Sequence, residues 1–210
     1  MLKLLIERFF IFDPLTLFFL TVILIISLPS FIYSFSYLKG EYPAFKIFSA
    51  QILLFVFILS MVFVVSVSNC LAFLIFWEIM SLVSYFLVVF DTNNERSIKA
   101  GLVYIVMTHI GTAFIIAAFM ILYNHAHSFD FMAIKNACSI MPQRTKDIVF
   151  LLFLIGFGTK AGIVPLHIWL PYAHPQAPSH ISSIMSGVMI KTAIYGIIRF
   201  VVFILGINTS

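Results

Sequence analysis

Glu78, Lys160 and Lys191 stand near the centres of long apolar runs, and His109 stands in the middle of another. An ionised side chain at such depth in a membrane costs about 2.5 to 3.5 kcal/mol on insertion scales, so each must face a partner, a cavity or both. Of the 20 formally charged residues (12 basic and 8 acidic), these three alone are so placed. One carboxylate and two lysines do not pair one to one, so at least one lysine is partnered from elsewhere, hydrated or neutral. Low dielectric opposes the charge on a buried lysine and a nearby carboxylate supports it. Moving the carboxylate therefore changes whether the lysine keeps its proton, which is the chemistry of a proton relay. His109, of a type that titrates near neutrality, is a candidate to pass protons between such sites.

Lys160 has a second unusual feature. Gly162 follows it by two residues and Pro165 by five, inside Gly156-Phe157-Gly158-Thr159-Lys160-Ala161-Gly162-Ile163-Val164-Pro165. A proline within a helix removes one backbone hydrogen bond and clashes with the carbonyl four residues back, here that of Ala161. Free backbone polar groups at membrane depth survive only against protein or a water-filled cavity. The expectation is a discontinuous helix, broken near Pro165 and Gly162, with a lysine beside the break.

Blander readings compete with this one. Glu78 and Lys160 are also suited to a static pair that holds helices together, and His109 to a hydrogen bond with a neighbouring helix. His167, His174 and His180 flank the break and the following turn, where they serve either as solvated surface residues or in proton uptake. Arg199, about two turns from the end of its span, is expected to snorkel to the headgroups. His109 is the one mid-span histidine and no second shares its helix at a stacking interval, so a haem is not expected.

The elements that must position these residues follow from hydropathy. Asp13-Pro14 reads as an N-cap with proline at the first helical position, opening a run over residues 14–37 with a kink at Pro29. Further spans are expected over 46–67, 70–90, 97–123, 147–171 and 180–206, with Thr145 as the cap of the fifth. The turn Ser68-Asn69 forces antiparallel neighbours. Residues 124–146 form the long loop, and helical apolar spacing over Phe131–Ile140 predicts a short interfacial helix there. Lys191, eleven residues into its span, lies roughly 16 Å deep at 1.5 Å per residue.

Composition agrees: 62% of residues are hydrophobic, 10% are charged, and mean hydropathy is +1.13. That excludes a soluble globular domain. The fold class expected is an all-α polytopic membrane bundle of about six transmembrane helices, one of them discontinuous, forming a single domain over 1–210 in the lipid bilayer. Most tyrosines, among them Tyr33, Tyr37, Tyr104 and Tyr123, are expected at the interfaces. A net charge of +4 without a basic patch argues against nucleic acid. Cys70 and Cys138 have no metal-ligand or CxxC spacing, so neither a metal site nor a disulfide is expected. Lys3 and Arg8 before an apolar run superficially resemble a signal peptide. Asp13 interrupts that run and no small-residue cleavage site follows, so it reads as the lead into a retained span. Basic residues divide almost evenly between the two sides and give no orientation.

Several stretches resemble the antiporter-like family of proton-translocating membrane subunits. They are Phe76-Trp77-Glu78-Ile79-Met80-Ser81, Gly158 to His174 around Lys160 and Pro165, and Gln176-Ala177-Pro178-Ser179-His180 through Met189-Ile190-Lys191-Thr192. That family includes the large membrane subunits of respiratory complex I, those of multisubunit cation/proton antiporters, and the matching subunit of membrane-bound nickel-iron hydrogenases. The Ala177-to-Thr192 stretch and Met107-Thr108-His109-Ile110-Gly111-Thr112-Ala113 look most like the hydrogenase branch. The resemblance covers spans three to six, and the first two match only in general character. It implies that Glu78 is the family's essential glutamate, Lys160 the lysine of its broken helix and Lys191 the central lysine of the next helix, and that His109 stands in a region where some relatives place a lysine. It further implies proton uptake through a hydrated half-channel and no cofactor in this chain. Redox chemistry would lie in partner subunits of a multisubunit oxidoreductase.

Full family members have about fourteen spans in two inverted repeats. This sequence matches one repeat, so the exit half-channel is expected from a second chain, or the sequence is a truncated or remnant form. The implied location is a bacterial or archaeal cytoplasmic membrane. A sodium/proton antiporter subunit and a structural anchor with its charges as helix glue are the alternatives.

Overall fold

A computed structural model describes residues 9–39 and 42–206; Lys3, Arg8, Gly40, Glu41 and the last four residues lie outside the described residues. Among the described residues eight helices are bounded: α1 Pro14–Tyr37, α2 Ala44–Ser66, α3 Cys70–Val88, α4 Glu95–Ala126, α5 Phe131–Ser139, α6 Gln143–Ala161, α7 Leu170–Gln176 and α8 Ser179–Ile204. Five of them, α1 to α4 and α8, are long and apolar enough to cross a membrane. The sixth long helix, α6, starts with Arg144, Lys146 and Asp147 in its first turns and ends inside the bundle, where Lys160 is only 1% exposed. The molecule is thus an all-helical, polytopic membrane bundle.

Local chemistry explains the ends of these elements. Asp13 accepts from Thr16 N–H and Pro14 occupies the first helical position, while α1 runs unbroken through Pro29. Asn69 accepts from the N–H groups of Leu71 and Ala72 to open α3, and Asp130 does the same for Met132 and Ala133 to open α5. Thr145 is not a cap, because α6 begins two residues earlier, with Pro142 preceding its first turn. Backbone groups in the tight Ser66–Cys70 turn find partners in neighbouring segments: Ser68 N–H donates to Phe9 O, and Phe131 N–H to Ser68 O. This meets the requirement that buried backbone polar groups be paired.

The core is a cluster of rings between α3, α4, α6 and α8. Phe73, Phe119, Phe153, Phe157 and Phe200 stack at centroid separations of 4.9 to 6.0 Å. Close packing of α4 on α6 rests on two glycines: a Cβ on Gly156 would meet Gly111 O at 2.8 Å, and one on Gly111 would meet Gly156 O at 3.0 Å. That approach sets Lys160, one turn beyond Gly156, against the N-terminal half of α4. Cys70 and Cys138 are buried free thiols, and burial pushes the Cys138 thiol up to about 11.

The break in α6 is made by Gly162 rather than by a proline inside a helix. Gly162 has φ 74°, in the left-handed region that glycine occupies without penalty. Its N–H and that of Ile163 return to the carbonyls of Thr159 and Gly158, at 3.4 and 2.9 Å, in the manner of a left-handed helix stop. Pro165, after a cis bond, lies four residues beyond Ala161, the last residue of α6. The expected clash with the Ala161 carbonyl therefore never arises. The fifth span expected over 147–171 is instead α6 followed by turns and then α7.

Candidate functional site

Lys160 is the penultimate residue of α6, and its Nζ is enclosed. It donates to Ser81 Oγ at 2.8 Å and to Tyr104 OH at 2.9 Å. Ser81 Oγ in turn donates to Trp77 O, and Ser84 Oγ donates to Met80 O at 2.7 Å while lying 2.6 Å from Tyr104 OH. With the Ser84 proton committed to a carbonyl, the Tyr104 proton goes to Ser84 Oγ or to Met189 Sδ, 3.4 Å away, and the Tyr104 oxygen turns a lone pair toward the lysine. The cage therefore offers Lys160 acceptors only. The faces of Tyr104 and Trp77, with centroids 5.1 and 5.8 Å from Nζ, add favourable quadrupoles.

The carbonyl groups freed by the break are also used. Trp169, fully buried beyond the turn, donates its indole N–H to Thr159 O at 2.7 Å. Its ring lies 5.0 Å from Tyr104 on one side and 6.1 Å from His174 on the other. Trp169 thereby closes the end of α6 and packs on Tyr104, a partner of Lys160.

Glu78 is one helical turn before Ser81 on α3, yet it forms no ion pair with Lys160; its partner is His109, with Nε2 3.2 Å from Oε2. His109 Nδ1 lies 2.9 Å from Ile105 O. A carbonyl only accepts, so Nδ1 carries a hydrogen and Nε2 meets the carboxyl oxygen favourably only with a proton between them. The pair thus holds one proton, either as imidazolium and carboxylate or as imidazole and carboxylic acid. The other carboxyl oxygen, Oε1, is buried with no partner.

Lys191 stands apart from this cluster. It is exposed on α8, and its Nζ folds back to Ser186 O across the π-helical turn Met185–Met189. Of the histidines near the break, His174 Nδ1 donates to Ser182 Oγ at 3.1 Å, since that hydroxyl spends its own proton on His174 O. This leaves His174 Nε2 as a buried acceptor without a partner. Burial also lowers the His174 pKa below the ordinary histidine value. His180, 3% exposed, packs edge-on to Tyr37, and His167 is half-buried with Nδ1 unpaired. A cavity of about 510 Å³ opens at this end, lined by Asn94, Ser97, His174, Gln176 and Ser182 among others.

The two sides of Lys160 differ in polarity. Toward the α6 N-terminus lie Phe157, Phe153, Phe73 and Phe200; toward α7 lie Tyr104, Ser84, Trp169 and His174. A larger cavity, about 960 Å³, opens at the opposite end of the bundle beside Asp13, Asp130, Lys135 and Arg199, and Lys160 does not line it.

Two expectations are corrected here. Arg199 does not snorkel: it is 5% exposed and forks onto Asp13, with Nη2 to Oδ1 at 2.8 Å, and also donates to Tyr195 OH and Thr16 Oγ1. The bidentate geometry of guanidinium and carboxylate makes this buried arrangement tighter than a headgroup contact. Tyr104 is no interfacial anchor but is fully buried, because its hydroxyl has Lys160 and Ser84 to bond. Ser81, Ser84, Tyr104 and Trp169 are absent from the candidates drawn from sequence. The signal for them was the serine spacing Ser81-Leu82-Val83-Ser84 on the Glu78 helix, which in an apolar run marks a polar face.

With this geometry in place, comparison with known proteins gives a consistent answer. Residues 67–210 match a family profile described as "NADH:quinone oxidoreductase/Mrp antiporter, TM", and residues 3–49 match one described as "NADH-Ubiquinone oxidoreductase (complex I), chain 5 N-terminus". The second match extends the likeness into the first span. Hydrogenase-4 component B of Escherichia coli (strain K12) is 39% identical over 187 residues, covering 89% of this chain and 27% of that protein. NADH-quinone oxidoreductase subunit M of Rickettsia felis is 33% identical over 131 residues, covering 62% of this chain and 26% of the relative. This chain therefore spans about a quarter of the length of these two relatives. A chain in the structure of an archaeal membrane-bound sulfane sulfur reductase shares the fold, with TM-score 0.71 at 20% identity over 84% of this chain and 35% of that one. On the profile match over residues 67–210, the chain belongs to the NADH:quinone oxidoreductase/Mrp antiporter family of membrane subunits.

Proposed function

We propose that this chain is a proton-translocating membrane subunit, or the N-terminal part of one, of an energy-converting redox complex of the hydrogenase or complex I kind. Protons reach Lys160 through a hydrated half-channel from the α7 end, past His174, with His167 and His180 flanking the route. Glu78, His109 and Lys191 complete the relay, and no redox cofactor resides in the chain. The observation that carries this reading is a fully buried lysine at the end of a helix that stops inside the bundle. Its neighbours on one side are hydrogen-bonding groups, and on the other a stack of phenyl rings. A proton carrier needs one wet side and one dry side, and an intramembrane ionisable residue in that position is functional by default.

Lys191 belongs to the next step. Its exposed position in mid-span demands a polar neighbour in the bilayer, so we assign that face of α8 to further helices, either of a longer protein or of a second chain supplying the inverted repeat. Other membrane subunits and a bacterial or archaeal cytoplasmic membrane complete the setting.

The charges as helix glue describe one pair well: Asp13 and Arg199 form a static clasp between α1 and α8. They describe Lys160 and Glu78 poorly, since these two do not pair.

The test is redox-driven proton movement in membrane vesicles carrying the whole complex. Lys160→Ala and Glu78→Gln should each abolish it while the complex still assembles. Normal movement in both variants would remove these residues from the mechanism, and dependence of the movement on sodium would point to the antiporter reading.

A further inference from the structure

We infer that Tyr104, braced by Ser84, is a positioning residue that parks the Lys160 side chain one helical turn away from Glu78, and that release of the Tyr104 hydrogen bond lets Nζ cross to the unpartnered Glu78 oxygen. The inference rests on the reading of Lys160 as the proton carrier, and it adds the element that decides where the carrier sits.

Three observations support it. First, Lys160 N–H donates to Tyr104 OH at 2.9 Å, the Tyr104 hydroxyl lies 2.6 Å from Ser84 Oγ and 3.4 Å from Met189 Sδ, and Ser84 Oγ donates to Met80 O at 2.7 Å. With the Ser84 proton on a carbonyl, the Tyr104 proton goes to Ser84 Oγ or Met189 Sδ, and the Tyr104 oxygen presents a lone pair to the lysine. Tyr104 and Ser84 are fully buried, with no water to compete for the bond. Second, Glu78 Oε1 is a buried acceptor without a donor, which is the costly state for a carboxyl oxygen and a ready destination for an amine. Third, Ser81 and Glu78 are three residues apart on α3, so the two resting places of Nζ are neighbours on one helix surface. The flexible four-carbon side chain of lysine offers the rotamers for a shift between neighbouring positions of one helix surface.

The parked lysine and the Glu78–His109 pair are separate units, each satisfied by its own partners. When Lys160 crosses, Glu78 Oε1 gains a donor while Oε2 keeps its contact with His109, so the two units become one. The titratable groups concerned are Glu78 on α3, and Tyr104 and His109 on α4; from α8, Met189 Sδ faces the Tyr104 hydroxyl at 3.4 Å. From α7, His174 reaches the cage only through the Trp169 ring.

The experiment is solid-state NMR of the full chain in lipid vesicles, with 15Nζ-lysine, 13C-tyrosine and 13C-glutamate labels. The Lys160 signal is assigned by its loss in Lys160→Met. Wild-type protein should show a Lys160 Nζ to tyrosine Cζ cross-peak and none to a glutamate carboxyl carbon. Tyr104→Phe should lose the first and gain the second, while Ser84→Ala, which removes only the brace, should show both at reduced intensity. A glutamate cross-peak already present in the wild type, or a lysine that stays away from glutamate in Tyr104→Phe and Ser84→Ala, overturns the inference. Should Tyr104→Phe fail to fold, the wild-type and Ser84→Ala spectra decide. Contact rather than transport is read, so failure here is distinguishable from failure of Lys160 as the proton carrier.

Discussion

His109 Nε2 lies 3.2 Å from Glu78 Oε2 while the other ring nitrogen is bound to its own helix backbone at Ile105. The histidine is therefore oriented by α4 itself, and the contact with Glu78 has a proton in it. Both side chains are partly exposed, 48% for His109 and 29% for Glu78, so this proton lies toward the outside of the bundle, whereas Lys160 is inside. His109→Gln keeps a donor for Glu78 but carries no exchangeable charge. It should leave assembly and thermal stability in detergent unchanged and slow redox-driven proton movement by about 100-fold, the scale of a lost proton-transfer group. His109→Leu should in addition destabilise the fold by about 1 to 3 kcal/mol, because Glu78 loses its partner.

Asp13 and Arg199 make a second, independent prediction. Asp13→Asn strands a guanidinium that is 5% exposed and should cost about 3 kcal/mol. The paired change Asp13→Leu with Arg199→Met should cost less than either single change, as read from unfolding midpoints in mixed micelles. The Arg199 hydrogen bonds hold the Asp13 carboxyl well below the usual carboxylate range. A depressed folded-state value makes the contribution full above the unfolded carboxylate pKa of about 3.9, and it is lost only as pH falls below that.

Gly162 should be hard to replace. A Cβ there meets Leu170 Cδ1 at 2.2 Å, and φ is 74°. Both Gly162→Ala and Gly162→Asn suffer the contact, but asparagine tolerates the left-handed region better. Ala should therefore be the more destabilising of the two, by about 1 kcal/mol, and the comparison isolates the backbone contribution.

The α4–α6 contact should be equally sensitive. Gly156→Ala places a methyl 2.8 Å from Gly111 O, forcing the helices apart. The bond at risk is the one from Lys160 to Tyr104, one turn further along. Proton movement should fall in this variant although every ionisable residue is intact, and Gly158→Ala, whose Cβ meets nothing closer than 3.4 Å, serves as the control.

Much of this architecture could be read from the chain because its causes are local. Long apolar runs, the Asp13-Pro14 start and the Ser68-Asn69 turn each act over a few residues, and ionisable residues in apolar runs stand out against their surroundings. The partners of Lys160 could not be read in the same way. Ser81 and Tyr104 are 79 and 56 residues away in sequence, and a serine or tyrosine in a membrane helix is an ordinary residue until the fold brings it to an amine. The helix break near Pro165 and Gly162 is legible in the sequence, but not which of the two residues ends the helix. A left-handed glycine ends the helix before the proline can act on it. Arg199 misled for the opposite reason: a position near a helix end reads as a headgroup contact unless Asp13, 186 residues earlier, is known to be opposite.

Lys160→Arg is the variant that bears most directly on the central claim. Arginine keeps a positive charge and hydrogen-bond donors in the cage, but in a protein it does not give up its proton. With Lys160 as a carrier that must load and unload, this variant should assemble normally in membrane vesicles and show no redox-driven acidification or alkalinisation above the uncoupled background. Proton movement at the wild-type rate in Lys160→Arg would contradict the account, because a permanently charged side chain would then be sufficient at that position.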